Sequence, residues 1–200
     1  MNLVDAALRR IAADLERLRC RWALVGGFAV SARVEPRFTR DVDIALAVPD
    51  DDTAERVVRT LLSEGYRFVA SVEHDEAGRL ATIRLATDQG ADQDVIVDLL
   101  FASSGVEAEI VAAAEPLELL PGLTVPVATA GHLIAVKVLA RDDDRRPQDL
   151  ADLRALVTAA SADDVELART TVRLITERGF NRGRDLDVAL AVLLGTEPPA

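Results

Sequence analysis

The sequence predicts an α/β domain built on a mixed sheet with helices, followed by a C-terminal unit made of helices alone. Three observations carry that expectation. Apolar runs of strand length alternate with helix-periodic stretches up to about residue 128. From Thr129 onward the apolar residues recur only at helical spacing. Half of the 200 residues are hydrophobic, enough to bury a core. The expected units are 1–128 and 129–200.

The elements follow in order. Val4, Leu8, Ile11, Leu15 and Leu18 make one face of an amphipathic helix over 4–19. Trp22 to Val25 reads as a buried strand running into a Gly26-Gly27 turn, with a two-turn helix from Phe28 to Val34. Asp41 to Val48 alternates, with Val42, Ile44 and Leu46 on one face and Asp41, Asp43 and Ala45 on the other. Asp50 to Glu64 is a helix with acidic capping residues at its start and Gly65 at its end. Strands are expected over Tyr66–Val72, Leu80–Ala86, Asp94–Phe101 and Leu123–Val127, with a short helix over Val106–Ala114. Four helices complete the chain: from a Thr129 cap to about Ala140, from Pro147 to about Ala160, from Ser161 to Gly179, and over Leu186–Leu194.

Composition narrows the function. No apolar run approaches the roughly 20 residues needed to cross a bilayer, and the acids Asp5, Asp14 and Glu16 do not suit a signal peptide. A cytoplasmic protein is therefore expected, and the single cysteine, Cys20, permits no internal disulfide. A net charge of −11 argues against a general nucleic-acid coat, though not against a local basic groove. Lys137 is the only lysine in an arginine-rich chain, a weak sign that a primary amine is needed there.

Asp41 and Asp43 project from one strand face, and two anions that close repel unless a cation lies between them. Magnesium, a hard cation preferring oxygen ligands, suits the pair together with substrate phosphates. Asp98 lies within Val95-Ile96-Val97-Asp98-Leu99-Leu100, where a lone acid must face a polar site or bear a large desolvation cost. If its strand neighbours the first, the three carboxylates can hold two metals about 4 Å apart. Gly26 and Gly27 before a helix let backbone approach a phosphate, with free N–H donors at the helix start.

The stretches Gly26-Gly27-Phe28-Ala29-Val30 and Arg37-Phe38-Thr39-Arg40-Asp41-Val42-Asp43 resemble the DNA polymerase β-type nucleotidyltransferases, and closely the AbiEii/AbiGii-type toxins, to which MenT-type toxins are similar. The resemblance continues through Lys137 and through Arg146-Pro147-Gln148-Asp149-Leu150-Ala151-Asp152-Leu153, spanning roughly residues 22 to 157. It implies a polymerase β-like sheet. Asp41 and Asp43 would be metal ligands, Asp98 would join them and activate the nucleophile, and Lys137 would meet the triphosphate. Asp152, more than Asp149, would orient Lys137. Gly26, Gly27, Arg37, Thr39, Arg40, Arg146 and Asp149 would line the nucleotide path. Where the wider superfamily often has serine after the glycine pair, this chain has Phe28.

The implied activity is transfer of NMP from an NTP to RNA, with the tRNA 3′ end as acceptor and a cognate antitoxin as protein partner. Arg141, Arg145, Arg146, Arg173, Arg178, Arg182 and Arg184 are candidate phosphate contacts. Two alternatives stay open: transfer to an aminoglycoside-like small molecule or a protein hydroxyl, and a non-catalytic nucleotide-binding or antitoxin-like module. Thr39, two residues before Asp41, is a candidate phosphorylation switch, since a phosphate adds about −1.5 to −2 charge. Plainer roles are expected elsewhere: Cys20 and Trp22 in the core, His74 and His132 as surface or capping groups, and Asp142-Asp143-Asp144 as a solvated loop.

Overall fold

In the computed structural model, residues 3–35, 39–74, 79–87, 94–142 and 147–196 are described. Helix α1 (Leu3–Arg17) leads into β1 (Trp22–Val25), α2 (Gly26–Arg33), β2 (Asp41–Leu46) and α3 (Asp51–Ser63). Then come β3 (Tyr66–His74), β4 (Arg79–Thr87), β5 (Val95–Leu100), α4 (Glu107–Ala113), β6 (Glu115–Leu120) and β7 (Leu123–Val127). Helices α5 (Ala130–Ala140), α6 (Pro147–Ala159), α7 (Ala162–Glu177) and α8 (Leu186–Leu194) follow. The mixed α/β architecture with a helical C-terminal part is the one expected.

The strands form one seven-stranded sheet in the order β3-β4-β5-β2-β1-β7-β6. β2 runs parallel to β5 and β1 parallel to β7, while the remaining neighbours are antiparallel. Placing β2 beside β5 matters most, because it sets Asp43 directly opposite Asp98.

Local signals explain most boundaries. The Asp50 side chain accepts from Thr53 N at 2.8 Å and starts α3. Thr129 caps α5, and Ser161 with Asp164 forms a reciprocal capping box on α7. Gly195, at φ +66°, closes α8 in the left-handed conformation. Apolar side chains from α1, the central strands and helices α5 to α8 bury into one continuous core. Helix α1 is tied to β3 at its polar margin: Tyr66 Oη donates to Asp14 at 2.9 Å, and the Arg10 guanidinium lies 4.4 Å from the Tyr66 ring centre.

Several expectations need correction. Helix α2 starts at Gly26 rather than Phe28, so the glycine pair is its first turn and not a turn before it. Strand β2 begins at Asp41 as expected but ends at Leu46 rather than Val48, and the Thr39 hydroxyl ahead of it donates to the Asp41 carbonyl at 3.3 Å. Strand β6 was not expected. Glu115, Pro116 and Glu118 break the apolar alternation, and proline is tolerated there because β6 is an edge strand. His132, expected as a surface or capping group, is buried, while its Nδ1 lies 2.9 Å from the hydroxyl of the Thr129 cap in keeping with the second alternative; burial lowers its pKa. Cys20 is only half-buried against the core, whereas Trp22 lies inside it.

The opposite edge, β3, exposes Phe68 (50%), Val69 (43%) and Val72 (58%). Its pairing with β4 skips a residue between Phe68 and Ala70, a bulge that bends the strand. Among the described residues, no helix is long and apolar enough to cross a membrane.

Candidate active site

Alternation on β2 brings Asp41 and Asp43 to the same face, and the parallel register sets Asp98 beside Asp43. The end of β1 completes the arrangement, with Val25 opposite Asp43 and α2 starting at the next residue. Gly26 adopts φ +63°, which favours glycine, and a Cβ there would lie 1.9 Å from Asp43 Oδ2. The Gly27 N–H donates to the Asp43 carboxylate. The glycine pair therefore seats a carboxylate at the helix start, where the macrodipole favours negative charge.

Asp43 is nonetheless electrostatically uncomfortable. Burial pushes its pKa from 3.8 to about 6, with Asp98 and Asp41 adding repulsion, while Lys137 and the Gly27 N–H act the other way. A crowded set of hard oxygen donors of this kind fits a divalent cation. Among the described residues, however, no three acidic, histidine or cysteine side chains are already arranged to hold a metal ion.

Asp98 is 7% exposed and is gripped from β4. Arg84, its register partner, donates from Nε at 2.8 Å and from Nη2 at 2.6 Å, a bidentate clamp. Two carboxylate oxygens offer about four lone-pair sites, so Asp98 keeps acceptor capacity beside Arg84. The hydrogen bonds to Asp98 hold the Arg84 guanidinium firmly protonated.

On the other flank, Lys137 on α5 is 8% exposed and points at two aspartates of α6. Its Nζ lies 2.7 Å from Asp149 Oδ1 and 2.8 Å from Asp152 Oδ2. Spacing of three residues on one helix puts both carboxylates on the same face. Asp149 Oδ2 is buried without a hydrogen-bond partner among the described residues. The structure thus groups Asp41, Asp43 and Asp98, and separately links Lys137 with Asp149 and Asp152. Lys137 acts on Asp43 across the gap. Arg40 is exposed just before β2, while Arg37, Arg145 and Arg146 lie outside the described residues.

Several candidate phosphate-binding arginines are engaged elsewhere. Arg178 pairs with Glu109 at 2.6 Å, Arg184 donates to the Leu139 carbonyl at 2.7 Å, and Arg173 lies 3.9 Å from Asp187. Sequence reasoning missed Arg84 and Arg33. Arg33, at the far end of α2, donates to the Val127 and Ala128 carbonyls and to Glu115, stitching α2 to β6, β7 and the entry to α5. The signal for Arg84 was Asp98 itself, since a buried acid requires a partner.

A family model for the nucleotidyl transferase AbiEii toxin of type IV toxin–antitoxin systems matches residues 7–197. The chain belongs to the AbiEii toxin family. It is a toxin-type nucleotidyltransferase, and that family implies an NTP substrate and an antitoxin partner. No curated protein sequence matches the chain.

Solved structures agree on the fold. The chain is similar to an antigenic nucleotidyltransferase-like protein from Paracoccidioides brasiliensis, at 17% identity and TM-score 0.55, over 98% of this chain and 93% of that one. It is also similar to the antibiotic-resistance factor ANT(2″)-Ia, at 18% identity and TM-score 0.56, over 89% and 96% of the two chains. The lincosamide antibiotic adenylyltransferase LnuA, solved with lincomycin, matches at 14% identity and TM-score 0.51, over 80% and 100%. The AbiEii chain thus has a polymerase β-like nucleotidyltransferase fold, with every candidate site residue inside the matched span.

Proposed function

We propose that this AbiEii-family protein transfers NMP from an NTP to an RNA hydroxyl, with the tRNA 3′ end as acceptor, under control of a cognate antitoxin in the cytoplasm. The observation that supports the reading is the register of Asp43 with Asp98, which brings a third acid beside the β2 carboxylates. Asp41 and Asp43 would hold magnesium, joined by Asp98. When bound, the metal neutralises the carboxylates and the charge developing on the transferring phosphate.

The protein's own groups divide the remaining work. The acceptor oxygen attacks the α-phosphorus, forming the new O–P bond, while the bond to the bridging oxygen breaks and pyrophosphate leaves. Asp98, held in place by Arg84, accepts the hydroxyl proton on a remaining lone pair. Lys137 meets the triphosphate as a compact point charge, oriented by Asp149 and Asp152. Thr39 and Arg40 flank the nucleotide path, a role that the family resemblance also gives to Arg37 and Arg146, which lie outside the described residues. In this reading residues 1–128 supply the carboxylates and 129–200 supply the lysine.

The test is incubation with magnesium, each labelled NTP and total tRNA, beside Asp41→Ala. Label on tRNA that is lost in the variant supports the proposal. Consumption of NTP only with an aminoglycoside or a protein acceptor would overturn the RNA assignment. The net charge of −11 gives a cationic small acceptor its main support. No turnover with any acceptor would favour a non-catalytic nucleotide-binding module.

A further inference from the structure

Arg84 does more than neutralise Asp98. Its Nε and one Nη2 hydrogen are taken by the carboxylate. Nη1 and the second Nη2 hydrogen have no partner among the described residues, and the side chain is 42% exposed. The result is a guanidinium locked on one edge and open to solvent on the other. Such an arrangement is preorganised: the ordering cost that a free arginine bears on binding an anion is already met by the protein.

Position says which anion. In the sheet order, β4 lies beyond β5, on the side of the carboxylates away from β1. The glycine turn leaves from β1, and Lys137 reaches in from α5, which packs on α2. Under the proposed function the triphosphate belongs on that Lys137 flank. The Arg84 flank is left for the acceptor. An anchored guanidinium there still offers N–H donors to a phosphodiester oxygen, a contact that a cationic small molecule cannot accept, although Asp98, Asp41 and Asp43 also act on Arg84.

We propose that the open edge of Arg84 binds a backbone phosphate of a nucleic-acid acceptor near its reacting 3′ end. This inference rests on the RNA-acceptor reading and adds to it the residue that holds the strand. The clamp ties strand binding to the placement of Asp98, because one side chain touches both.

The experiment measures binding, without NTP and therefore without turnover. Fluorescence anisotropy follows an RNA hairpin with a single-stranded 3′ overhang, in magnesium, across a salt series. Wild type, Arg84→Ala and Arg84→Lys are compared on the unmodified strand and on strands carrying one neutral methylphosphonate at each overhang linkage in turn. Arg84→Ala is expected to bind about 3- to 10-fold more weakly, with the log–log salt slope smaller by about 1. Arg84→Lys should keep the slope while losing part of the affinity. One methylphosphonate position should weaken wild type but leave Arg84→Ala unchanged.

Equal affinity and slope for wild type and Arg84→Ala would overturn the inference while leaving the RNA reading intact. Wild type that binds no RNA would remove both. Should Arg84→Ala fail to fold, the methylphosphonate series on unmutated protein decides: insensitivity at every overhang linkage overturns the proposal.

Discussion

Asp43 on β2 and Asp98 on β5 face each other across a parallel strand pair, although 55 positions separate them in the chain. Each is held by a different neighbour: Asp43 by the Gly27 N–H, Asp98 by the Arg84 fork. The two carboxylates are thus fixed from opposite sides, and their repulsion is built into the fold.

That repulsion should be measurable as a pH dependence of stability. Burial, with Asp98 and Asp41 nearby, pushes the Asp43 carboxyl from its ordinary 3.8 up to about 6, so the folded state holds its proton more tightly than the unfolded chain. The contribution to stability is fully present below the unfolded value and is lost as the pH rises through about 6. Asp43→Asn is expected to raise stability at pH 7 by up to about 3 kcal/mol, with the gain vanishing near pH 4. Magnesium should raise the Tm of wild type at pH 7 and leave that of Asp43→Asn nearly unchanged. Thermal melts across pH, with and without magnesium, check both statements.

Gly26→Ala tests the seat of Asp43. The left-handed φ costs about 1 kcal/mol for alanine, and the new methyl displaces the carboxylate. Transfer activity should fall about 100-fold or more, since misplacement by about 1 Å suffices for that. Steady-state rates beside a melting curve decide it. A variant active within a few-fold of wild type would show that the close approach is unimportant.

Lys137→Met leaves Asp149 and Asp152 facing each other, buried without their shared cation. Loss of one partner from a buried ion pair costs about 3–5 kcal/mol. Urea denaturation should report that loss, and adding Asp152→Asn should recover part of it. A lysine that merely lies along the surface would give neither effect.

Thr39→Glu brings a negative charge to the residue whose hydroxyl touches the Asp41 backbone. It is expected to mimic a phosphate on Thr39, depressing nucleotidyl transfer strongly without lowering the Tm. Raising the magnesium concentration should restore part of the rate. Full activity with unchanged magnesium dependence would end the idea of a Thr39 switch.

The acids of the site were legible because their sequence settings are anomalous. Asp98 stands alone among apolar strand residues, and Asp41 and Asp43 sit at the strand period. Lys137 stood out as the single lysine. Arg84 carried no such mark: it is one arginine among many, and only the β4–β5 register reveals its partner. The glycine pair was legible as special but not in its effect, because the contact that constrains Gly26 comes from a different strand. Strand β6 was hidden by Pro116 and its acids, residues that an edge tolerates and an isolated segment does not favour.

The skipped residue on β3 has a bearing on handling the protein. A straight nine-residue margin carrying Phe68, Val69 and Val72 would offer an unpaired backbone ladder and an oily face to any second sheet. The kink at Val69 spoils that match. Removing Val69 would restore continuous pairing from Tyr66 to Val72, leaving only the second irregularity before Glu73, and a preparation that stays clear in the flask would be expected to turn cloudy as molecules join edge to edge.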